Sequence, residues 1–343
     1  MLIWVINRKG EIIDETESYS GEYGVDAISS DKATFPLIDK DKKYSRGDFI
    51  LAKETDGGGI NYFGVIDSYE DNKLVANDIT VLANFEFPAG KISGDSFEDH
   101  FYKLLKRYLL DDPTKDLGIL EVEVRTNTKH LYQPKETPTA TNLMKYLINA
   151  FKKYNIVWQF DRFEGGKIYT YIEAVTETFQ LKDDIDGFRD WEISTTEVGK
   201  DTENMLLIVD KAMTNVMNPK ILSTWYLKDD NTVTQDKTDP QIIQPTKTKV
   251  NIYDTTATDK PSYEEVANSE LKGSYYSHEI NVKANIDNRM INIRNLRIGQ
   301  LVNIYYKDRL YKSVLSGFSI TEGSNSVSLK FGNIRSRISE LLE

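Results

Sequence analysis

The sequence contains no cysteine, which excludes disulfides, thiolate metal sites and cysteine nucleophiles. Histidine is nearly absent as well, with only His100, His130 and His278. None stands at the His-Glu-x-x-His spacing that sets two imidazoles on one helix face for zinc. Each reads as an ordinary surface or half-buried residue: His100 near the polar side of a helical pattern, His130 in a loop, His278 in a strand. No run approaches the ~18 apolar residues of a membrane-spanning helix. The apolar stretch Leu2–Ile6 is too short for a signal peptide and has no basic segment before it. The chain is therefore expected to be made in the cytoplasm, without an export address or membrane insertion. Positive charge is also in deficit: 43 Lys and Arg face 54 Asp and Glu, a net −11. A field of that sign repels phosphate, so specific nucleic-acid binding is not expected.

What is present is a soluble globular balance, 39% hydrophobic and 28% charged over 343 residues, enough for two or three domains with proper cores. Leu2–Ile6, the turn Asn7-Arg8-Lys9-Gly10 and Glu11-Ile12-Ile13 read as a β-hairpin, with Gly10 at the position that needs positive φ. Further strands are expected at Ala33–Ile38, Phe49–Lys53, Tyr62–Tyr69 and Lys73–Asn77, closing near Val81–Leu82. Many short strands at close spacing suggest a small antiparallel barrel or sandwich. The period then changes. Phe97, Phe101, Leu104, Leu105, Tyr108 and Leu109 recur at helical spacing, with Asp95 or Ser96 as N-cap. Leu143, Leu147, Phe151 and Tyr154 mark a second helix starting near Thr139. Strands at Leu120–Arg125, Ile156–Asp161 and Lys167–Glu173 flank both.

Strands resume at Trp191–Thr195, Met205–Asp210 and Ser223–Leu227, followed by a polar loop or hairpin tip over Asp229–Asp239. Ser262-Tyr263-Glu264-Glu265 has the spacing of a capping box and opens a short helix. Strands dominate from His278 to Phe331, and Asn333–Leu342 reads as a C-terminal helix. One internal repeat stands out. Arg46-Gly47-Asp48-Phe49-Ile50 leads through a strand and turn to Tyr62-Phe63-Gly64-Val65-Ile66. Arg297-Ile298-Gly299-Gln300-Leu301-Val302 leads in the same way to Leu310-Tyr311-Lys312-Ser313-Val314-Leu315. A third strand follows each copy. This predicts a structural duplication, two similar barrels in one chain.

The fold class expected is mainly β with α+β insertions: two related antiparallel β-barrel domains plus smaller α+β domains. Residues 1–90 form the first barrel, completed by about 190–235. Residues 91–182 form an inserted α+β domain. Residues 236–343 form the second barrel, with a helical segment near 261–272 and the C-terminal helix.

Several motifs look chemical and fail on inspection. Asp183-Asp184-Ile185-Asp186-Gly187 hints at a calcium loop, but aligning Gly187 to the loop glycine puts Lys182 and Ile193 at the two essential ligand positions. Gly57-Gly58-Gly59 lacks the Lys-Ser/Thr of a phosphate loop and reads as a hairpin tip. Arg46-Gly47-Asp48 spells an adhesion tripeptide, but its repeat partner Arg297-Ile298-Gly299-Gln300 makes it a turn that launches a strand. No Gly-x-Ser-x-Gly elbow occurs. The 20 tyrosines, Tyr275-Tyr276, Tyr305-Tyr306 and Tyr311 among them, suit interfaces or sugar stacking and equally suit β-sheet packing. No catalytic residue, cofactor site or metal site is assigned, and the chain is not expected to be an enzyme.

The C-terminal residues carry a resemblance. Arg297-Ile298-Gly299-Gln300-Leu301-Val302, Ser316-Gly317-Phe318-Ser319-Ile320-Thr321 and Ser326-Val327-Ser328-Leu329-Lys330-Phe331-Gly332-Asn333-Ile334-Arg335 resemble the closing segment of phage and prophage minor tail proteins. That group is also called tail-associated or tail-endopeptidase proteins. Its last barrel strand often ends in an apolar-Thr/Lys-Phe-Gly-x-x-Arg signature before a helix. The group resembles the central hub protein of contractile-phage baseplates. The resemblance implies a homotrimer of two-barrel chains. Such a ring would sit in the virion tail between the tail tube and distal receptor-binding or spike components, and DNA would pass through it. The endopeptidase label finds no constellation here to support it. Competing functions are a tail-associated peptidoglycan hydrolase and a cell-surface carbohydrate-binding module.

Overall fold

The computed structural model describes residues 1–28, 32–39, 43–53, 60–89, 94–129, 139–183, 187–195, 203–213, 217–230, 232–256, 260–271, 278–288, 290–292 and 295–332. The Gly57–Gly59 tip, His130, the Tyr275-Tyr276 pair and the C-terminal helix expected at Asn333–Leu342 lie outside them. Among the described residues the protein is mainly β, 51% strand and 16% helix. It divides into two compact units, one of Met1–Lys129, Gln133–Glu192 and Ile280–Gly332, the other centred on Ile193–Glu279.

The first unit opens with β1 (Leu2–Ile6), β2 (Ile12–Glu17), β3 (Glu22–Asp26), β4 (Lys32–Pro36), β5 (Phe49–Lys53), β6 (Ile60–Glu70) and β7 (Lys73–Asp78). Alternation sends Ile3 and Val5 inward, where they meet Phe35, Ile50, Ile66 and Leu74 in a core completed by Tyr23 and Tyr62. Three of these rings pack at centroid separations of 5.7–6.2 Å, the spacing of favourable aromatic pairs. The strand expected to close near Val81–Leu82 is instead a 3₁₀ turn, Ile79–Ala83, because the Asp78 carboxylate accepts from Thr80 N and caps it.

The α+β part contains β8 (Glu86–Ala89), α1 (Phe97–Leu105), β9 (Leu120–Val124), β10 (Thr139–Asn142), α2 (Leu143–Tyr154), β11 (Ile156–Glu164) and β12 (Lys167–Ala174). Ser96 caps α1 as expected, and one π turn, Lys106–Leu110, extends it. The second helix does not begin near Thr139. Those residues pair as β10 with β8, and Asn142 caps α2 by accepting from Lys145 N. His100 is also corrected: it is buried on α1, edge-on to Tyr146 at 5.8 Å. His278 is buried too.

Then follow β13 (Thr178–Lys182), β14 (Phe188–Thr195), β15 (Met205–Asp210), β16 (Ile221–Leu227), β17 (Val233–Thr234), β18 (Thr248–Tyr253), α3 (Tyr263–Leu271), β19 (His278–Asn285), β20 (Leu301–Tyr306), β21 (Arg309–Thr321) and β22 (Ser326–Gly332). The main sheet runs β14-β19-β22-β21-β3-β4-β7-β6-β5-β1-β2, with β13 and β20 attached beside β21. Among the described residues this path is open at β2 and β14, and no closed barrel is found.

The internal repeat has a matching backbone in both copies. Gly47 and Gly299 take φ +90° and +93°, a region in which only glycine is unstrained. Gly47 N donates to Ile66 O at 2.8 Å and Gly299 N to Leu315 O at 2.9 Å; Ile66 N returns to Asp48 O and Leu315 N to Gln300 O, both at 2.8 Å. Each long strand then bulges at the next residue, between Ile66 and Ser68 and between Leu315 and Gly317. The order β1-β5-β6-β7-β4 is thereby matched by β13-β20-β21-β22-β19. One difference is clear: β1 runs antiparallel to β5, whereas β13 runs parallel to β20.

The second unit is a four-stranded sheet, β17-β16-β15-β18, with Leu206, Ile208, Trp225, Leu227 and Tyr253 packed on Val266, Ala267 and Leu271 of α3. The capping box forms reciprocally: Ser262 N donates to the Glu265 carboxylate at 2.6 Å, and Glu265 N to Ser262 Oγ at 3.2 Å.

Candidate assembly surfaces

Within the first unit the α+β part is fastened to both repeat copies. Arg8, from the turn of the β1–β2 hairpin, donates to Gly47 O at 3.1 Å and to Lys115 O at 2.5 Å. Asn155, the left-handed C-cap of α2, donates to Gly299 O at 2.5 Å and Val175 O at 2.7 Å. Gln159 on β11 donates to Ile298 O. Phe63 of β6 and Phe160 of β11 stack with centroids 4.2 Å apart. The insertion thus holds the Gly299 carbonyl directly through Asn155, and the Gly47 carbonyl through Arg8 of the β1–β2 turn, which also donates to the insertion at Lys115.

Buried polar groups in this region serve the fold. Glu98, fully buried on α1, accepts from Thr126 Oγ, Thr128 N and Thr128 Oγ at 3.0–3.2 Å. Asp78 borders a small cavity of about 30 Å³ shared with Asp26, Leu147, Phe151, Trp158 and Ile298; burial pushes its carboxyl up from the ordinary range. The suspected calcium loop has another use at its first acid: Asp183 accepts from Lys307 N at 2.8 Å.

Three surfaces are exposed in ways that invite partners. The first is the β20–β21 hairpin. Its two-residue loop, Lys307-Asp308, has positive φ at both positions, which is the type I′ geometry that fits the strand twist. Pairing sets Lys182, Tyr305 and Leu310 in one row across β13, β20 and β21; Tyr305 and Leu310 are 39% and 44% exposed. Cations lie over the tyrosines: Lys182 on Tyr305, Lys307 on Tyr306 and Arg309 on Tyr311, at 4.9–5.7 Å. The second surface is β2, which among the described strands pairs with β1 alone, with a bridge from Ser18 to Leu37 at its end. It presents Ile12, Ile13, Glu15 and Glu17 to solvent. The third is the face of the four-stranded sheet opposite α3, where Ile221, Val250 and Ile252 are exposed.

The hairpin and β2 could not be found from sequence as sites, because their members come together only through strand pairing. The Tyr305-Tyr306 doublet was the single visible signal. No group of three or more His, Asp and Glu side chains with metal-holding geometry exists among the described residues.

No family model and no curated protein matches this sequence. Solved structures do. The 43 kDa tail protein of prophage MuSo2 from Shewanella oneidensis is similar at 12% identity and TM-score 0.54, covering 98% of both chains. Prophage tail protein gp18 from Listeria monocytogenes is similar at 10% identity and TM-score 0.54, covering 100% of this chain and 97% of that one. A chain of the phage P2 virion baseplate in its activated conformation is similar at 13% identity and TM-score 0.52, covering 98% of this chain and all of that one. The likeness is one of fold, and it runs end to end: this chain has the fold of phage and prophage tail proteins.

Proposed function

We propose that the protein is a structural subunit of a phage or prophage tail tip or baseplate, acting as a hub that assembles into a three-fold ring. The observation that carries this reading is the duplicated turn-strand-bulge-strand backbone within a fold shared with tail proteins. Three chains with two equivalent units each present six similar surfaces. Such a ring matches a six-fold tube on one side and a three-fold tip on the other. The two repeat copies are read as the cores of two related barrel domains, residues 1–90 and 236–343, with 91–182 as an inserted α+β domain. The role is structural, and no residue is assigned a catalytic step.

The net charge of −11 per copy suits a passage through which DNA leaves, since a basic wall would hold phosphate through counterion release. The location that follows is the virion tail, with tail-tube and distal tail proteins as neighbours. The experiment is sedimentation and negative-stain microscopy of purified protein, together with labelling of tail particles by an antibody to this chain. Three-fold rings and label at the tail tip are expected. Unlabelled tails, or a two-fold assembly, would reject the reading.

A further inference from the structure

We propose that copies of this chain join head to tail, the acidic edge strand β2 of one seating against the basic, aromatic β13–β20–β21 corner of the next. This rests on the ring reading above and names its contact. The two surfaces differ, so the interface is heterologous; such contacts close into rings when the rotation allows.

Both surfaces are open strand edges. Among the described strands β2 pairs with β1 alone and β13 with β20 alone; Ile38 N donates to Glu17 O at 2.9 Å and Ser18 bridges Leu37, so the open part of the β2 edge lies before Glu17. An edge strand offers unpaired N–H and C=O groups to another chain unless it is blunted. Neither edge carries a proline, and β2 lacks the lysines that usually guard such a strand.

The side chains are complementary. On β2, Glu15 and Glu17 stand exposed beside Ile13, and Glu15 attracts Lys53 by charge. On the corner, Lys182 and Lys312 border the exposed row of Tyr305 and Leu310. Lys307 and Arg309 stand on the hairpin beside them, against Asp183 and Asp308. Aliphatic side chains would meet Tyr305 and Leu310 while carboxylates meet ammonium groups, the pattern that fixes register and partner choice. A nucleic acid would use the cations but leave Leu310 and the open strand edge without a role. A second copy supplies what all of them need.

The test uses the full chain and sedimentation velocity at low salt, where exposed charges act at longest range. Lys182→Glu with Lys312→Glu should weaken assembly roughly tenfold or more in dissociation constant, as should Glu15→Lys with Glu17→Lys. Leu310→Ser should weaken it without changing charge. All four charge reversals in one chain restore attraction and should recover the wild-type assembly. Circular dichroism checks that each variant is folded. A ring that ignores these reversals, or is not restored by the combination, overturns this contact and leaves the ring itself standing. A wild-type monomer at every concentration removes the ring and this contact together. Loss of duplex-DNA binding in the lysine variant, with assembly unchanged, overturns the proposal and gives the corner to nucleic acid.

Discussion

Asn155 holds the carbonyl of Gly299 from 144 residues away in sequence, its Nδ2 donating at 2.5 Å while also reaching Val175 O. The residue does this from φ +58°, a conformation that asparagine tolerates better than most. It therefore ends α2, turns the chain into β11 and pins the second repeat turn in one move.

These roles separate by substitution. Asn155→Gly keeps the backbone geometry and loses the two hydrogen bonds, which should cost about 1–3 kcal/mol. Asn155→Ala loses the same bonds and adds left-handed strain of about 1–2 kcal/mol. Urea denaturation should rank wild type above Gly and Gly above Ala. An alanine variant as stable as the glycine variant would remove the conformational part of this account.

Gly10 and Gly165 offer a matched comparison in two hairpin turns. A Cβ at Gly10 would lie 1.9 Å from Gly166 O, whereas one at Gly165 meets nothing within 4 Å; both have positive φ. Gly165→Ala should cost only the strain of its backbone, about 1 kcal/mol. Gly10→Ala must also push two backbones apart and should cost clearly more. Equal midpoint shifts would mean that the contact between the two hairpins is not maintained in solution.

Glu98 organises the segment after β9. Glu98→Ala leaves the donors of Thr126 and Thr128 without their buried acceptor and opens a gap in α1 packing. The expected loss is about 3 kcal/mol or more, since one charged acceptor serves three donors. Hydrogen exchange should show Thr128 N–H losing protection before the core strands do. Uniform loss across the first unit would mean that Glu98 supports the whole fold and not this segment in particular.

Much of this architecture was legible where its causes are local. The Ser262–Glu265 capping box, the Ser96 cap and strand Met205–Asp210 stand where spacing put them, and the Gly47 and Gly299 turns share a hydrogen-bond pattern. Errors arose where a distant segment decides. Thr139–Asn142 looked like a helix start, but the strand Glu86–Ala89 claims it. His100 looked half-exposed because Tyr146, which covers it, arrives from another helix. The parallel alignment of Thr178–Lys182 with Leu301–Tyr305 joins segments more than a hundred residues apart. No periodicity encodes that pairing, and the exposed row of Lys182, Tyr305 and Leu310 exists only because of it.

Acid should act on a set of exposed turns. Asp112, Asp230, Asp236 and Asp254 each accept from the backbone N–H and the hydroxyl of the threonine two residues on. These hydrogen bonds favour the charged carboxylate and hold all four below the ordinary aspartate range. Asp254 is shifted furthest, because Lys211 also donates to it. A carboxyl whose folded value lies below its unfolded value, near 3.9, stabilises the fold above that pH. The contribution fades as pH falls through the lower, folded value. Asp254→Ala should therefore be less stable than wild type at pH 7, with the gap narrowing below about pH 4 and nearly closed at the most acidic pH the fold survives. Asp254→Asn keeps an acceptor for Thr256 and loses the charge, so it should fall between the two at pH 7. Thermal melts of the three proteins from pH 7 down to pH 2 check this. A gap that stays constant across that range would show that Asp254 contributes through turn geometry alone, with no share from its charge.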